Sequence, residues 1–370
     1  MIALLSSINI PRRVWLIIGY VVSSGLLLSA PMFLSDFRLN LLAKCLAFAI
    51  VALGLDLLWG YTGILSLGHG VFFGLGAYAM AMHLKLEAGG KHLPDFMDWM
   101  GLTKLPWFWE PFKSFAFAAL MGIVIPAVLA LILGFFTFRN RIRGVYFTIL
   151  TQALVIITVT LFVGQQAYTG GTNGLTGYSK LLGYSLKSDT AKSVVYLVTV
   201  VALIVSFIVC RYLVKSRFGK VLRAIRDGEN RTRFLGYDPA KYQMAAFAVS
   251  AALAGLAGML FVLHVGIISP TMMAIVPSIE LVLLVAIGGR GTLIGAVIGA
   301  IIMTQAKSEL SASYPDFWLF FLGALFIVVT VFLPGGLVGL IRQASQLLSR
   351  RRKTDEIKLN TVVPESNGVV

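Results

Sequence analysis

Long apolar runs dominate this sequence and restrict the folds open to it. Eight runs of about twenty residues occur, together with a longer apolar region that glycines interrupt. A helix of roughly 20 residues crosses the hydrocarbon core of a bilayer, because each residue adds about 1.5 Å of rise. Only 13% of the residues are charged, whereas soluble domains carry about 25%. The sequence therefore predicts an all-α polytopic membrane protein.

The positive net charge of +15 arises mainly at the ends of these runs. Lys and Arg concentrate in the cytoplasmic loops of membrane proteins and near anionic lipid, so we assign the charge to topology and the lipid bilayer and not to nucleic acid. The two cysteines, Cys45 and Cys210, lie within apolar segments and are interpreted as packing residues. Neither a disulfide nor a metal site is expected.

The basic clusters also set the predicted topology. Placing both termini in the cytoplasm leaves the main basic clusters on that side, as the positive-inside rule requires. We predict about ten crossings, two of them short limbs of one broken region. The predicted crossings are 14–34, 39–59, 61–84, 114–138, 145–164, 193–214, 243–265, the two limbs within 277–304, and 317–341. The membrane domain thus covers 1–341 with an external insert at 85–112, and 342–370 forms a basic, disordered cytoplasmic tail.

One polar stretch, residues 215–242, stands out between two apolar runs. It holds eight Lys/Arg against three Asp/Glu, which places it in the cytoplasm. Within it, Phe218, Val221, Leu222 and Ile225 recur at spacings of three and four. This pattern predicts a short amphipathic helix between Gly219 and Gly228. Such a helix is suited to insert into the groove of a partner protein.

The apolar region 277–304 is broken by Gly288, Gly289, Arg290 and Gly291. A single straight helix here would leave the basic tail outside, so we predict a turn on the inner side. Non-helical backbone at membrane depth is tolerated only where protein or a water-filled cavity satisfies it. The break therefore indicates either proximity to a transport pathway or a tight helical hairpin for packing.

Catalytic motifs are absent from the sequence, which contains no phosphate-binding loop and no HExxH, GxSxG or CxxC pattern. We therefore expect no enzyme activity and no cofactor, and any motor must be a separate polypeptide. His69 lies among apolar residues, where it either contacts a solute or bonds to a backbone carbonyl. Asp56 and Glu280 lie near predicted span ends, where Asp56 could be solvated and Glu280 could either reach water or pair with a lysine. The Gly- and Thr-rich loop after Gly164 is an outer vestibule or a flexible connector.

Five separated blocks carry a resemblance to a known family. They are WGYTGILSLGHGVFFGLGAYAM, GVYFTILTQAL, GGTNGLTG, SRFGKVLRAIRDGENRTRFLGYD and SIELVLLVAIGGRGTLIGAVIGA. Together they resemble the inner-membrane permeases of the branched-chain amino acid ABC transporter family, in its LivM-like branch. Within that family the insert at 93–109 is similar to that of the urea-transporting permeases, so the resemblance implies urea as the substrate, with branched-chain amino acids as the alternative.

The resemblance implies that the basic stretch contacts an ATPase subunit, as a divergent form of the EAA loop of ABC importers. Ala224 and Gly228 keep the Ala-to-Gly spacing of that loop, but Arg223 stands where its Glu would be. The residues expected to form this ATPase-coupling element are Arg217, Gly219, Val221, Leu222, Arg223, Ala224, Ile225, Arg226, Asp227 and Gly228.

The implied assembly is an importer made of this subunit, a homologous second permease, two ATPases and an external substrate-binding protein. Urea is small and neutral, so hydroxyls, amides and aromatic walls would suffice for its pathway. The hypothetical pathway residues are Ser66, His69, Phe72, Phe73, Gln152, Thr172 and Asn173. Rival hypotheses are an ion-coupled transporter using Asp56, His69 or Glu280, and a passive urea channel.

Overall fold

The structure is a computed structural model that describes residues 12–90, 92–178, 180–333, 335–340 and 343. Its α-helices are α1 (Arg12–Ser29), α2 (Asp36–Thr62), α3 (His69–Gly89), α4 (Asp95–Trp99), α5 (Phe115–Arg139), α6 (Val145–Gly164), α7 (Gln166–Thr169), α8 (Asp189–Lys215), α9 (Arg217–Phe234), α10 (Pro239–Val265), α11 (Ile275–Gly288), α12 (Leu293–Ser313) and α13 (Trp318–Phe332). Short 3-10 turns lie at Ala30–Met32, Glu110–Lys113, Gly171–Asn173 and Pro270–Met273, and strands β1 (Lys180–Leu181) and β2 (Tyr184–Ser185) form an antiparallel hairpin.

Several of the described helices have the length and composition of membrane spans. Six are long and apolar enough to cross a bilayer, namely α2, α5, α6, α8, α10 and α12. Shorter apolar helices occupy Ile18–Met32, Ile275–Gly288 and Trp318–Val329. Helix α3 has 21 residues, and its glycines, histidines and Lys85 lower its hydropathy although it is almost wholly buried. The predicted helical, polytopic membrane fold is confirmed, while the number of about ten crossings stays a prediction.

Helices α2 and α10 form the centre of the bundle, and glycines let the neighbouring backbones approach them. In α2, 78% of the most apolar window is buried, against 17% in α6 at the periphery. A methyl group on Gly76 of α3 would overlap the carbonyl oxygen of Gly255 on α10. One on Gly299 would overlap the carbonyl oxygen of Leu284. Close backbone contact of this kind is the packing role expected of small residues between membrane helices.

The predicted crossing 61–84 is not one continuous helix. Helix α2 continues through Thr62 and ends at Gly63, whose φ of +78° is the left-handed conformation that glycine adopts most easily. Residues 64–68 lack helical structure, and α3 begins only at His69 and runs on to Gly89. We call residues 63–68 the non-helical segment.

The broken region 277–304 is two helices, as predicted, but their lengths are unequal. Helix α11 has 14 residues, whereas α12 has 21 and extends past the predicted limit to Ser313. Residues 289–292, which we call the glycine turn, separate them. The last crossing is shorter than predicted, because α13 ends at Phe332. Ile341 and all of the tail 342–370 except residue 343 lie outside the described residues.

The segments predicted to lie outside the cell are more ordered than the sequence indicated. Lys85 and Leu86, placed at the start of the external insert, are buried within α3. The loop after Gly164 is not a simple flexible connector, because it contains α7, a 3-10 turn and the β1–β2 hairpin. It is also tied to the segment after α10 by a bridge between Leu175 and Ile268.

Candidate functional site

Helix α9 provides the predicted amphipathic helix, and we call it the coupling helix. It starts at Arg217 and has one non-helical residue, Gly228, after which a second helical stretch continues to Phe234. Its apolar stripe, Val221, Leu222 and Ile225, is buried in this protein together with Gly219. The stripe packs on the chain's own helices, so it is not the face that a partner would contact. Insertion of the helix into a partner's groove stays a prediction. The opposite, polar face is exposed and comprises Arg217, Lys220, Arg223, Ala224, Arg226 and Asp227.

A buried carboxylate anchors the coupling helix. Glu229 has a side-chain exposure of 11% and accepts from Arg143 at 2.9 Å and from Arg233 at 3.0 Å. Gln243, on α10, donates to the same side chain at 3.3 Å. Paired and hydrogen-bonded charges of this kind fix a local geometry, because removing one partner leaves an uncompensated buried charge. The helix is thus fastened to the α5–α6 loop and to α10.

The coupling helix also contacts the end of α2. The guanidinium of Arg226 donates to the carbonyl oxygen of Gly60 at 2.8 Å. Asp56, one turn earlier on α2, accepts from the backbone N–H of Gly291 at 2.6 Å. Tyr61 donates its hydroxyl to the carbonyl oxygen of Gly291 at 3.0 Å. The hypothesis that Asp56 is solvated is wrong, because its side chain is fully buried against the glycine turn.

Two threonines of α6 form hydrogen bonds with backbone groups of the non-helical segment. The hydroxyl of Thr148 donates to the carbonyl oxygen of Leu65 at 3.0 Å, and the hydroxyl of Thr151 accepts from the N–H of Leu67 at 3.1 Å. Backbone groups left unpaired inside a membrane would each cost several kcal/mol. Neither threonine was predicted from the sequence, although their spacing of three places them on one face of α6 and was a usable signal.

His69 opens α3 directly after this segment. Its Nε2 lies 2.7 Å from the hydroxyl oxygen of Ser250 on α10, and not against a backbone carbonyl. Its ring packs edge-on to Phe72 at 5.6 Å between ring centroids. Ser250 was not anticipated, because nothing in the sequence indicates that α10 packs beside this histidine. The arrangement is a fully buried polar pair within an aromatic environment.

The seven predicted pathway residues do not line one cavity of the described structure. Ser66, His69 and Phe72 are buried within the protein. Phe73 lines a cavity of about 300 Å³, while Gln152 is half-buried on α6. The remaining two, Thr172 and Asn173, are exposed on the 3-10 turn of the outer loop. Their shared role in a pathway remains a prediction.

Two of the cavities among the described residues lie beside predicted functional residues. The cavity beside Phe73 is lined by aromatic and aliphatic side chains together with Lys44, Glu280 and Lys307. Glu280 and Lys307 form an ion pair between α11 and α12, as anticipated for Glu280. A second cavity of about 270 Å³ lies between the coupling helix and the non-helical segment. Its polar lining residues are Thr62, Arg143, Arg226, Glu229 and Gln243.

The groups considered for ion coupling all have structural partners. Asp56 bonds to Gly291, His69 to Ser250, and Glu280 pairs with Lys307. Among the described residues, no group of three or more His, Cys, Asp or Glu could hold a metal ion. Cys45 and Cys210 are free and buried.

Comparison with known proteins identifies the family. Residues 37–330 match the family described as branched-chain amino acid transport system / permease component. The high-affinity branched-chain amino acid transport system permease protein LivM of Salmonella typhimurium is 27% identical over 348 residues, covering 88% of this chain and 76% of the relative. The permease protein LivH of Escherichia coli is 25% identical over 302 residues, covering 79% and 91%.

An archaeal protein is also similar. The probable branched-chain amino acid transport permease protein LivM of Methanocaldococcus jannaschii is 24% identical over 319 residues, covering 79% of this chain and 90% of the relative. No solved structure matches the chain. Because the matched range covers most of the chain, the protein belongs to the branched-chain amino acid transport permease family, as a multi-pass protein of the inner membrane.

Proposed function

We propose that this chain is a permease subunit of an ATP-driven ABC importer and forms half of its membrane pathway. A homologous second permease supplies the other half, two ATPase subunits bind inside, and a substrate-binding protein delivers solute outside. Both termini are cytoplasmic in this proposal. The observation that carries it is the coupling helix, whose exposed polar face is available to a partner while its apolar face is fixed to α2 and α10.

Branched-chain amino acids are the substrate class that the relatives favour. The similar proteins from Salmonella typhimurium and Escherichia coli carry that substrate in their names. At 25–27% identity the scaffold is shared, but the substrate depends on individual site residues. We therefore take this class as the first candidate.

Urea is the second candidate. The insert at 93–109 resembles that of urea-transporting permeases, and the non-helical segment presents hydroxyl and amide groups. Thr148, Thr151 and the backbone of residues 65–67 offer donors and acceptors without charge. Urea, with N–H donors and one carbonyl, is complementary to such groups.

Uptake by the reconstituted complex separates these proposals. The two permeases, the ATPases and the binding protein are placed in vesicles, and uptake of labelled leucine and labelled urea is measured with and without ATP. ATP-dependent accumulation of either solute supports the importer and identifies its substrate. Accumulation driven by an ion gradient through this chain alone, or downhill urea flux without nucleotide, would refute it.

The coupling helix is tested by reversing charge on its exposed face. In the double variant Arg217→Glu and Lys220→Glu, we expect weaker co-purification of the ATPase and reduced uptake, since both side chains are exposed while the buried stripe is untouched. Lys187→Glu is the matched control, because this lysine is also exposed but lies at the opposite end of the bundle, just before α8. Equal co-purification for both variants would contradict the assignment of this face.

A further inference from the structure

The glycine turn is held between two other backbones. A methyl group on Gly60 would overlap the backbone nitrogen of Gly291. On the other side, one on Gly289 would lie 2.5 Å from the carbonyl oxygen of Gly335, and one on Gly336 would overlap the nitrogen of Gly289. Direct backbone contact leaves little room for independent movement, because there is no flexible side chain between the surfaces.

Both polar backbone groups of Gly291 are bound by α2. Asp56 accepts from its N–H and Tyr61 donates to its carbonyl oxygen. Asp56 is fully buried, and its second oxygen, Oδ2, has no hydrogen-bond partner among the described residues. Burying a carboxylate at this position costs free energy. Asp56 must therefore do something there that an apolar side chain could not. Fixing the N–H of a left-handed glycine, at φ +72°, is such a role.

The coupling helix is attached to the same point. Arg226 donates to the carbonyl oxygen of Gly60, and its Cγ lies 3.1 Å from where a methyl group on Gly63 would be. The side chain thus covers the last turn of α2 and the start of the non-helical segment. Arg290, in the glycine turn, stacks over Trp59 with its guanidinium carbon 5.1 Å from the ring centroid.

We propose that Asp56 and Tyr61 are positioning residues that join the coupling helix to the α11–α12 pair, so that both move as one unit when the ATPases close. Arg226 transmits displacement of the coupling helix to Gly60, and the two bonds to Gly291 carry it to the glycine turn. This inference rests on the proposed function. It adds a mechanical connection within this subunit, from the coupling helix to the glycine turn. Through this connection the helices would shift between discrete arrangements.

Two matched tyrosines provide the test. Tyr61→Phe and Tyr196→Phe each remove one hydroxyl bond to a backbone carbonyl of another element, at 3.0 Å and 2.9 Å. Both variants should assemble and lose similar thermal stability. In the reconstituted complex we expect only Tyr61→Phe to lower the number of solute molecules imported per ATP hydrolysed, by about fivefold, as for one lost buried hydrogen bond.

Two substitutions of Asp56 sharpen the result. Asp56→Asn keeps an oxygen acceptor for Gly291, so the ratio of uptake to ATP hydrolysis should stay within about twofold of wild type. Asp56→Leu removes the acceptor and should lower the ratio about tenfold while ATP hydrolysis continues. If the Asp56→Leu complex does not assemble, the ratios of uptake to ATP hydrolysis of the two tyrosine variants and Asp56→Asn test the proposal.

The outcomes separate this inference from the proposed function. If the wild-type complex shows no ATP-dependent uptake, the proposed function fails. If the wild type transports and Tyr61→Phe keeps the same ratio of uptake to hydrolysis as Tyr196→Phe, the mechanical connection is refuted and the importer assignment stands. A decrease for Asp56→Asn as large as that for Tyr61→Phe, or larger, would also refute it, because the charge and not the bond to Gly291 would then be the essential feature.

Discussion

Two of the breaks between the described helices, the non-helical segment and the glycine turn, are stabilised differently. Hydroxyl groups of α6 satisfy the non-helical segment at 63–68. A carboxylate and a phenol of α2 hold the glycine turn at 289–292. Helix α6 is mostly exposed in this subunit, with 17% of its apolar window buried, whereas α2 is central, with 78% buried. The helices that support the two breaks thus differ greatly in how deeply they are buried within the subunit.

This contrast indicates a division of roles. Helix α6 contacts the other helices of the subunit less than α2 does, so we expect it to shift more easily against the non-helical segment. The glycine turn is enclosed by backbone on two sides and cannot move without α2. We therefore expect substitutions at the glycine turn to lower folding stability in addition to the coupling of uptake to ATP hydrolysis, and those at the non-helical segment to affect transport more strongly than stability.

The largest loss of folding stability is expected for Gly289→Ala, and Gly63→Ala is its comparison. Both glycines have positive φ, but a methyl group on Gly289 meets a backbone oxygen at 2.5 Å, while one on Gly63 meets the flexible side chain of Arg226 at 3.1 Å. Left-handed strain plus overpacking should cost roughly 3 kcal/mol at Gly289, and strain alone about 1 kcal/mol at Gly63. Thermal unfolding in detergent measures both. Equal costs would remove the contrast between the breaks.

The second-largest loss of stability is expected where the hydroxyl of Thr151 on α6 bonds to the non-helical segment. Thr151→Val leaves the N–H of Leu67 without its acceptor and should cost about 2 kcal/mol, together with reduced uptake. Thr158→Val, at a buried threonine two turns further along the same helix, is the control. A loss of stability without any loss of uptake would show that the non-helical segment is purely structural.

A smaller effect is expected where α3 begins. Ser250→Ala removes the partner of His69 and should destabilise the protein by about 1 kcal/mol. Ser206→Ala is the control, because that hydroxyl bonds only to Ala202 of its own helix. Chemical denaturation compares the two variants. If their free energies of unfolding are equal, the His69–Ser250 contact does not stabilise the end of the first break.

The smallest effect lies outside both breaks, at an outer ion pair. Lys85 donates to Asp95 at 2.9 Å and holds the pKa of that carboxyl below its usual range. Because the folded pKa is lowered, the contribution is present at neutral pH and is lost as the pH falls through that pKa. Asp95 is 66% exposed, so Asp95→Asn should cost less than about 1 kcal/mol. A larger cost, or one that persists in acid, would contradict this cause.

The helical membrane fold was predictable because apolar runs of sufficient length leave few alternatives. The coupling helix was also visible, since spacings of three and four identify one face. The burial of its apolar face within the same chain could not be predicted, because periodicity shows that a face is apolar but not what covers it. Periodicity also misplaced the helix end at Gly63, since apolar residues continue through the non-helical segment.

The contacts between distant segments could not be predicted from the sequence. Asp56 and Gly291 are separated by 235 positions, and His69 and Ser250 by 181. A single sequence gives no information on such pairs, because either residue would be compatible with many neighbours. The glycine ladders were more informative, since small residues at regular spacing predict close helix packing whatever the partner.

The threonine contacts of α6 have one more consequence. Thr148 and Thr151 occupy one main-chain acceptor and one main-chain donor, which lie on either side of a single residue, Ser66. Sideways withdrawal of α6 would free both groups together. An uncharged solute carrying one carbonyl and one amide N–H could then take the place of the two hydroxyls. The main-chain groups would exchange one pair of hydrogen-bond partners for another and would not be left unpaired in the membrane.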